Sequence, residues 1–256
     1  MKIMFIGDIV GRVGREMVKE HVKRLRKEHQ LDYVIANGEN AAHGKGITSR
    51  IYRELLSYGV DFITLGNHAF SKSEVKLEFN QLTQMIRPEN LKEAYVGTGH
   101  KMVCINGQKV GIINLLGKGF MDVCTESPFE VMDRILETMP CDLYIVDLHA
   151  ETTAEKLAFA FRYQDQIQLC VGTHTHVQTA DQRIIGKTAY ITDVGMCGAY
   201  HSILGRDVDE VISRFVDDAK TRFTVAEGAG CFSAVIAEID ETAKKAIAME
   251  RVLLLP

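Results

Sequence analysis

The first 70 residues alternate short apolar runs with helical stripes, and that rhythm restricts the chain to an α/β build. "KIMFIGD" (2–8), "DYVIANGEN" (32–40) and "VDFITLGNH" (60–68) are apolar runs of strand length. Between them lies "VGREMVKEHVKRLRKEH" (13–29), apolar at 13, 17–18, 22 and 25, a helical stripe. "TSRIYRELLSYG" (48–59) is a second helix, which Thr48 or Ser49 can cap and Gly59 can end. The order β-α-β-α-β is the signature of a parallel sheet with helices on its faces. Further on, residues 73–86 read as a helix, and 100–117 as a hairpin turning at Asn106-Gly107. A helix over 129–139, strands over 142–151, 167–176 and 188–195, and helices over 153–163 and near 207–219 follow. Strands over 221–226 and 231–239, with a last one in "AMERVLLLP", close the pattern. No repeat or Pro/Ser-rich linker interrupts it, so residues 1–256 are expected to form a single α/β domain, strand-rich, with helices outside two packed sheets.

Charge and apolar patterning exclude several function classes. The net charge is -4 and neither end carries a basic block, which argues against an extended nucleic-acid surface or an anionic-membrane surface. A small nucleotide or a short RNA end needs only local charge and stays open. The first apolar run is broken at Gly7-Asp8, too early for a signal peptide, and no stretch approaches the ~20 apolar residues of a membrane span. A soluble, cytoplasmic protein is expected, and homo-oligomerisation is compatible with the sequence. The six cysteines include no C-x-x-C, so neither a disulfide scaffold nor a zinc knuckle is indicated. Cys141, Cys170 and Cys231 read as small core hydrophobes.

Five apolar runs end in the same way, with side chains able to bind a metal. These are Asp8 in "FIGD", Glu39 and Asn40 in "NGEN", Asn67 and His68 in "LGNH", His149 in "VDLHAE", and His174 and His176 in "VGTHTH". Open α/β sheets bind ligands at the carboxyl ends of their strands, so these groups can converge on one crevice. Eight donors (two carboxylates, two amides, four imidazoles) are too many for one catalytic ion with an open position. They suit two ions, roughly 3.5–4 Å apart, that share a carboxylate. His43 reads as a loop residue, and His21, His29, His100 and His201 as solvated or structural. "GENAAHGKG" is one residue too long for a P-loop and lacks the Ser or Thr after Lys45. No G-x-G-x-x-G or G-x-S-x-G occurs.

In their order and spacing these pieces resemble the calcineurin-like metallophosphoesterases. The matching segments are "GD" at 7–8, "GEN" at 38–40, "GNH" at 66–68, His149, and "GTHTH" at 172–176. "GDIVGRVGR", "NGENAAHGKGIT", "VGTHTHVQTAD" and "AYITDVGM" narrow the resemblance to the bacterial YmdB-type branch, from Met1 to about residue 240. The resemblance implies a four-layer α/β/β/α sandwich with mixed sheets. It also implies a phosphodiesterase that hydrolyses 2′,3′-cyclic nucleotides to 3′-phosphates with a metal-bridging hydroxide. Asp8, Glu39, Asn40 and His176 would hold one metal; Glu39, Asn67, His149 and His174 would hold the other, with Glu39 bridging. His68 would protonate the leaving oxygen, and the ions would be iron or manganese. Asp147, Asp181 and Asp193 are candidates for orienting the imidazoles.

The chain also departs from the wider pattern. Val10 stands where the superfamily has a histidine, a vacancy that Asn40 would fill. Ala69 replaces a frequent acidic residue, Phe70 stands where the branch often has Trp, and Cys197 in "GMCG" is unusual. These changes are expected to alter substrate contacts more than metal binding. The same metals would also serve a phosphatase acting on monoesters or phosphoproteins, or a regulatory metal-binding protein acting through a partner. A purely structural metal domain would use closed, cysteine-rich ligation, and no cysteine is among the candidates.

Overall fold

The computed structural model describes residues 1–92, 95–218, 220 and 222–256. In chain order its first elements are β1 (Lys2–Ile6), β2 (Asp8–Ile9), α1 (Gly11–His29), β3 (Tyr33–Asn37), α2 (Ser49–Ser57), β4 (Phe62–Thr64) and α3 (Ser73–Glu78). There follow β5 (His100–Ile105), β6 (Gln108–Leu116), α4 (Pro128–Thr138), β7 (Leu143–His149), α5 (Thr153–Arg162), β8 (Leu169–Thr173) and β9 (Arg183–Ile185). The last are β10 (Thr188–Ile191), β11 (Met196–Ala199), α6 (Val208–Val216), β12 (Gly230–Asp240) and β13 (Lys245–Leu254).

Strand β1 shows how the sequence pattern becomes layers. Successive side chains on a strand point to opposite faces. Met4 and Ile6 pack with Val18, Val22 and Leu25 of α1 and Leu55 of α2, while Ile3 and Phe5 pack against Ile112, Ile145 and Leu169 of the other sheet. The far face of that sheet buries Ile113, Val146 and Leu148 against Val131 and Ile135 of α4 and Phe159 of α5. Three apolar interfaces therefore separate four layers, α/β/β/α.

One sheet runs β2-β11-β12-β1-β3-β4, with β13 also on β12; the other runs β5-β6-β7-β8-β10-β9. Both are mixed. β1, β3 and β4 are parallel, and β12 is antiparallel to β1. β6, β7, β8 and β10 are parallel, with β5 and β9 antiparallel at the edges. Thr48 caps α2 by accepting from the Ile51 N–H, and Ser127 with Glu130 forms a capping box on α4.

Several expectations are corrected by tertiary pairing. The helix expected over 73–86 stops as α3 and a short 3-10 turn at Phe79–Gln81. Beyond it the backbone lies along β4: the Ile63 N–H donates to Gln84 O at 2.9 Å and the Ile86 N–H to Ile63 O at 3.0 Å. In place of a strand over 221–226 the described residues show one bridge, Arg206 to Val225; Thr221 lies outside them. The helix near 207–219 is α6, and Ala219 is likewise outside the described residues. The short strands β2, β9 and β11 carry too little pattern to be read from sequence.

Candidate metal centre

The two sheets are stitched together at the carboxyl ends of their parallel strands. Buried Asp147 on β7 accepts from the Thr64 hydroxyl at 2.6 Å and from Asn37 Nδ2 at 3.1 Å, both on the opposite sheet. The His174 N–H, after β8, donates to Asp8 Oδ2 at 3.1 Å. These links bring all eight predicted residues together.

Two groups of donors result, and they share one atom. In the first, His149 Nε2 lies 3.0 Å from Asn67 Oδ1, 3.1 Å from His174 Nδ1 and 3.2 Å from Glu39 Oε1. In the second, Asn40 Nδ2 lies 3.2 Å from Glu39 Oε1, 3.2 Å from His176 Nε2 and 3.3 Å from Asp8 Oδ1. Glu39 Oε2 accepts from the His68 backbone N–H at 2.9 Å, leaving Oε1 to face both groups. The His68 imidazole belongs to neither group; its Nδ1 lies 3.4 Å from Asn67 Nδ2.

The outer partners of the imidazoles decide which nitrogen faces inward. The Thr173 hydroxyl donates to Asp147 Oδ1 at 2.7 Å, so at 2.8 Å it can only accept from His149 Nδ1–H. His149 therefore presents Nε2. Glu151 Oε2, 3.0 Å from His174 Nε2, accepts its proton and leaves Nδ1 as the lone pair. Leu204 O, 3.1 Å from His176 Nδ1, does the same for Nε2. Fixing the distal N–H of a ring in this way is how proteins set a ligand's tautomer and orientation.

The residues present fit cations. Among the described residues four carboxylates are buried: Asp8, Glu39, Asp147 and Asp193. Asp193 has Lys156 Nζ at 2.9 Å, whereas the charged partners of Asp8 and Glu39 are the imidazoles of His176 and His149. A buried carboxylate needs pairing or a metal. Burial alone would lower His149, but Glu39, Asp8 and Asp147 outweigh it and raise the ring to about 9. His174, buried beside that ring, is lowered to about 4. Burial pushes Asp8 up, yet His176 and His149 hold it well below the carboxylate range, while burial raises Asp147 to about 6. Burial likewise lowers His68. In the second group the Asn40 side-chain amide lies among three acceptors, Asp8 Oδ1, Glu39 Oε1 and His176 Nε2.

Local backbone makes the convergence possible. His174 (φ 101°) and His176 (φ 64°) both lie in the left-handed region, which non-glycine residues rarely adopt. Asp193 holds the turn between them, accepting from Thr175 N–H at 3.0 Å and Thr175 Oγ at 2.8 Å. A Cβ at Gly66 would overlap Glu39 Oε2 and His149 Nε2, and one at Gly172 would overlap Thr192 O.

Of the orienting candidates, Asp147 is linked to His149 by hydrogen bonds through Thr173, Asp193 acts on the backbone of the turn, and Asp181 bonds Thr179 and Thr192 instead of an imidazole. Glu151, Thr173 and Lys156 were not foreseen. Val10, Ala69 and Cys197 are buried in the core, where they contribute to packing; Phe70 is half-buried and lines a cleft with Asn67.

A family model, a curated relative and two solved structures resemble this chain over nearly its whole length. The family model for YmdB-like protein matches residues 4–252. A Bacillus subtilis (strain 168) protein named 2′,3′-cyclic-nucleotide 2′-phosphodiesterase is 45% identical over 99% of this chain and 97% of its own. The crystal structure of a novel phosphatase from Mycoplasma pneumoniae superposes with a TM-score of 0.95 at 36% identity, over 100% of this chain and 93% of that one. A Thermus thermophilus structure described as a hypothetical protein gives 0.93 at 36%, over 100% and 99%. With a family match over nearly its whole length and a relative this similar, the chain belongs to the YmdB-like protein family.

Proposed function

We propose that this chain is a metal-dependent phosphodiesterase that opens 2′,3′-cyclic nucleotides to 3′-phosphates. The observation that carries the reading is the pair of donor groups sharing Glu39 Oε1, with the His68 imidazole beside them and outside both. The name of the Bacillus relative supports the same substrate class.

Asp8, Glu39, Asn40 and His176 would hold one cation, and Glu39, Asn67, His149 and His174 the other. Imidazole, carboxylate and amide donors without thiolate suit iron or manganese. Two such cations, when bound, activate water and polarise phosphoryl oxygens. The chain's own residues supply the rest. Thr173 and Glu151 keep His149 and His174 turned so that a lone pair faces inward. The Asp193–Lys156 pair fixes the turn that carries His174 and His176. His68, free of both groups, donates the proton to the departing 2′-oxygen.

Turnover of 2′,3′-cAMP, 3′,5′-cAMP and a simple phosphomonoester should be compared at equal enzyme. The 2′,3′-cyclic substrate should be strongly preferred and should yield 3′-AMP; a preference for the monoester would sink the reading. His68→Ala should keep its metal and lose roughly 10²–10⁴-fold in turnover. Asp8→Ala or Glu39→Ala should lose metal itself. Wild-type turnover by His68→Ala would remove the acid assignment.

A further inference from the structure

A cleft of about 490 Å³ beside the candidate metal centre is lined by His43, Lys45, Lys72, Arg206, Arg222 and Phe223, together with Ser71, and among the described residues by no carboxylate. Its walls are hydrogen-bonded to the centre. The Ser71 N–H donates to His68 O at 3.0 Å, and Leu204, two residues before Arg206, accepts from His176 Nδ1. The third wall is the loop that continues from Glu39, closed by the Gly46 N–H donating to Glu39 O at 2.5 Å. Arg206 gives one N–H to Gly44 O at 2.5 Å and feels the charge of Glu210. Another basic cleft, lined by Arg12, Arg15, Lys19, Arg50 and Arg53, differs in holding carboxylates: Glu16 and Glu54 line it and pair with Arg12 and Arg15.

A 2′,3′-cyclic mononucleotide carries one negative charge, on the phosphate that would sit at the metals. It offers nothing to four further cations. An oligonucleotide ending in the same cyclic phosphate carries one more charge for each upstream linkage. We therefore infer that the cleft is a subsite for the upstream phosphates of a short single-stranded RNA with a 2′,3′-cyclic phosphate end. Phe223, partly exposed at the junction with an apolar hollow containing Leu204 and Phe215, gives an upstream base a surface to stack on. The inference rests on the phosphodiesterase reading and adds the substrate class.

The test compares kcat/KM for 2′,3′-cAMP and for the trinucleotide ApApA ending in a 2′,3′-cyclic phosphate, in wild type and in Lys72→Ala/Arg222→Ala. At low salt the wild type should favour the trinucleotide by about tenfold or more, with log(kcat/KM) falling by ~0.7 per log unit of salt for each phosphate contacted. The double variant should lose that preference and the steeper salt slope, and keep its rate on 2′,3′-cAMP within about twofold, because neutralising phosphate contacts acts only on the longer substrate. Anisotropy of a labelled trinucleotide 3′-phosphate bound to the metal-loaded protein should show the same loss of affinity. A wild type that opens 2′,3′-cAMP without favouring the trinucleotide overturns the subsite alone. So does a variant that slows both substrates equally. If neither substrate is opened, the phosphodiesterase reading falls, and the subsite with it.

Discussion

Asp8 and Glu39 are carboxylates buried without a fixed cation, a setting that favours a positive group beside them. Asp193 has Lys156, whereas among the described residues the charged groups paired with Asp8 and Glu39 are imidazoles, rings whose charge depends on what else binds them. The Asp147–Thr173–His149 relay then decides which nitrogen of His149 is offered. Thr173→Val preserves the side-chain shape but removes the hydroxyl that both neighbours use. Metal affinity, measured by competition with a chelator, should fall roughly 10–100-fold. Unchanged affinity would mean that the ring is oriented by packing alone. At this scale the donors were legible in the sequence because each follows an apolar run that stops short: "GD", "GEN", "GNH", "GTHTH". Thr173 and Glu151 were not, since their roles depend on which ring nitrogen faces inward, and no spacing encodes that.

The turn after β8 shows how an element can be built around a strained conformation. Two histidines with positive φ are held by one carboxylate, itself held by a lysine that α5 carries into the core. Lys156 is 1% exposed and Asp193 is 0% exposed. Lys156→Met would strand Asp193 without its partner, and breaking a buried pair this way typically destabilises by about 3–5 kcal/mol. Chemical denaturation should show that loss, and a change below about 1 kcal/mol would show the pair to be dispensable. Nothing in the helical stripe "TAEKLAFAFRY" marks Lys156 as buried; its burial follows from how α5 packs on its sheet. The 73–86 segment failed as a helix for a related reason, the pairing of residues 84–86 with Ile63.

Beyond that segment, Glu89 ties the approach to β5. Burial pushes its carboxyl up, but His100, the Gly99 N–H and Arg87 outweigh burial and hold it below the ordinary 4.5. Because the folded value is depressed, its stabilising effect is present above the unfolded value and is lost as pH falls through the lower folded one. Glu89→Gln should therefore be less stable than wild type near neutrality, and the gap should close below pH 4.5. Unfolding midpoints measured across that range give the answer; a gap independent of pH would contradict the assignment.

At the scale of the whole molecule, the two sheets contribute unequally but jointly to one centre. Asp8, Glu39, Asn40, Asn67 and His68 follow strands of one sheet; His149 ends a strand of the other, and His174 and His176 follow its neighbour. The β-α-β-α-β start made the first sheet legible, and "VDLHAE" with "VGTHTH" made the second sheet's contribution legible. The order of strands across each sheet was not legible, because β12 inserts beside β1 from the far end of the chain. No helix among the described residues is long and apolar enough to cross a membrane. The joint centre is tested most directly by counting metal in protein purified without added metal and then loaded with manganese or ferrous iron. Two ions per chain are expected, because two donor groups share Glu39 Oε1. A single ion per chain at saturation, or none retained, would contradict the shared centre.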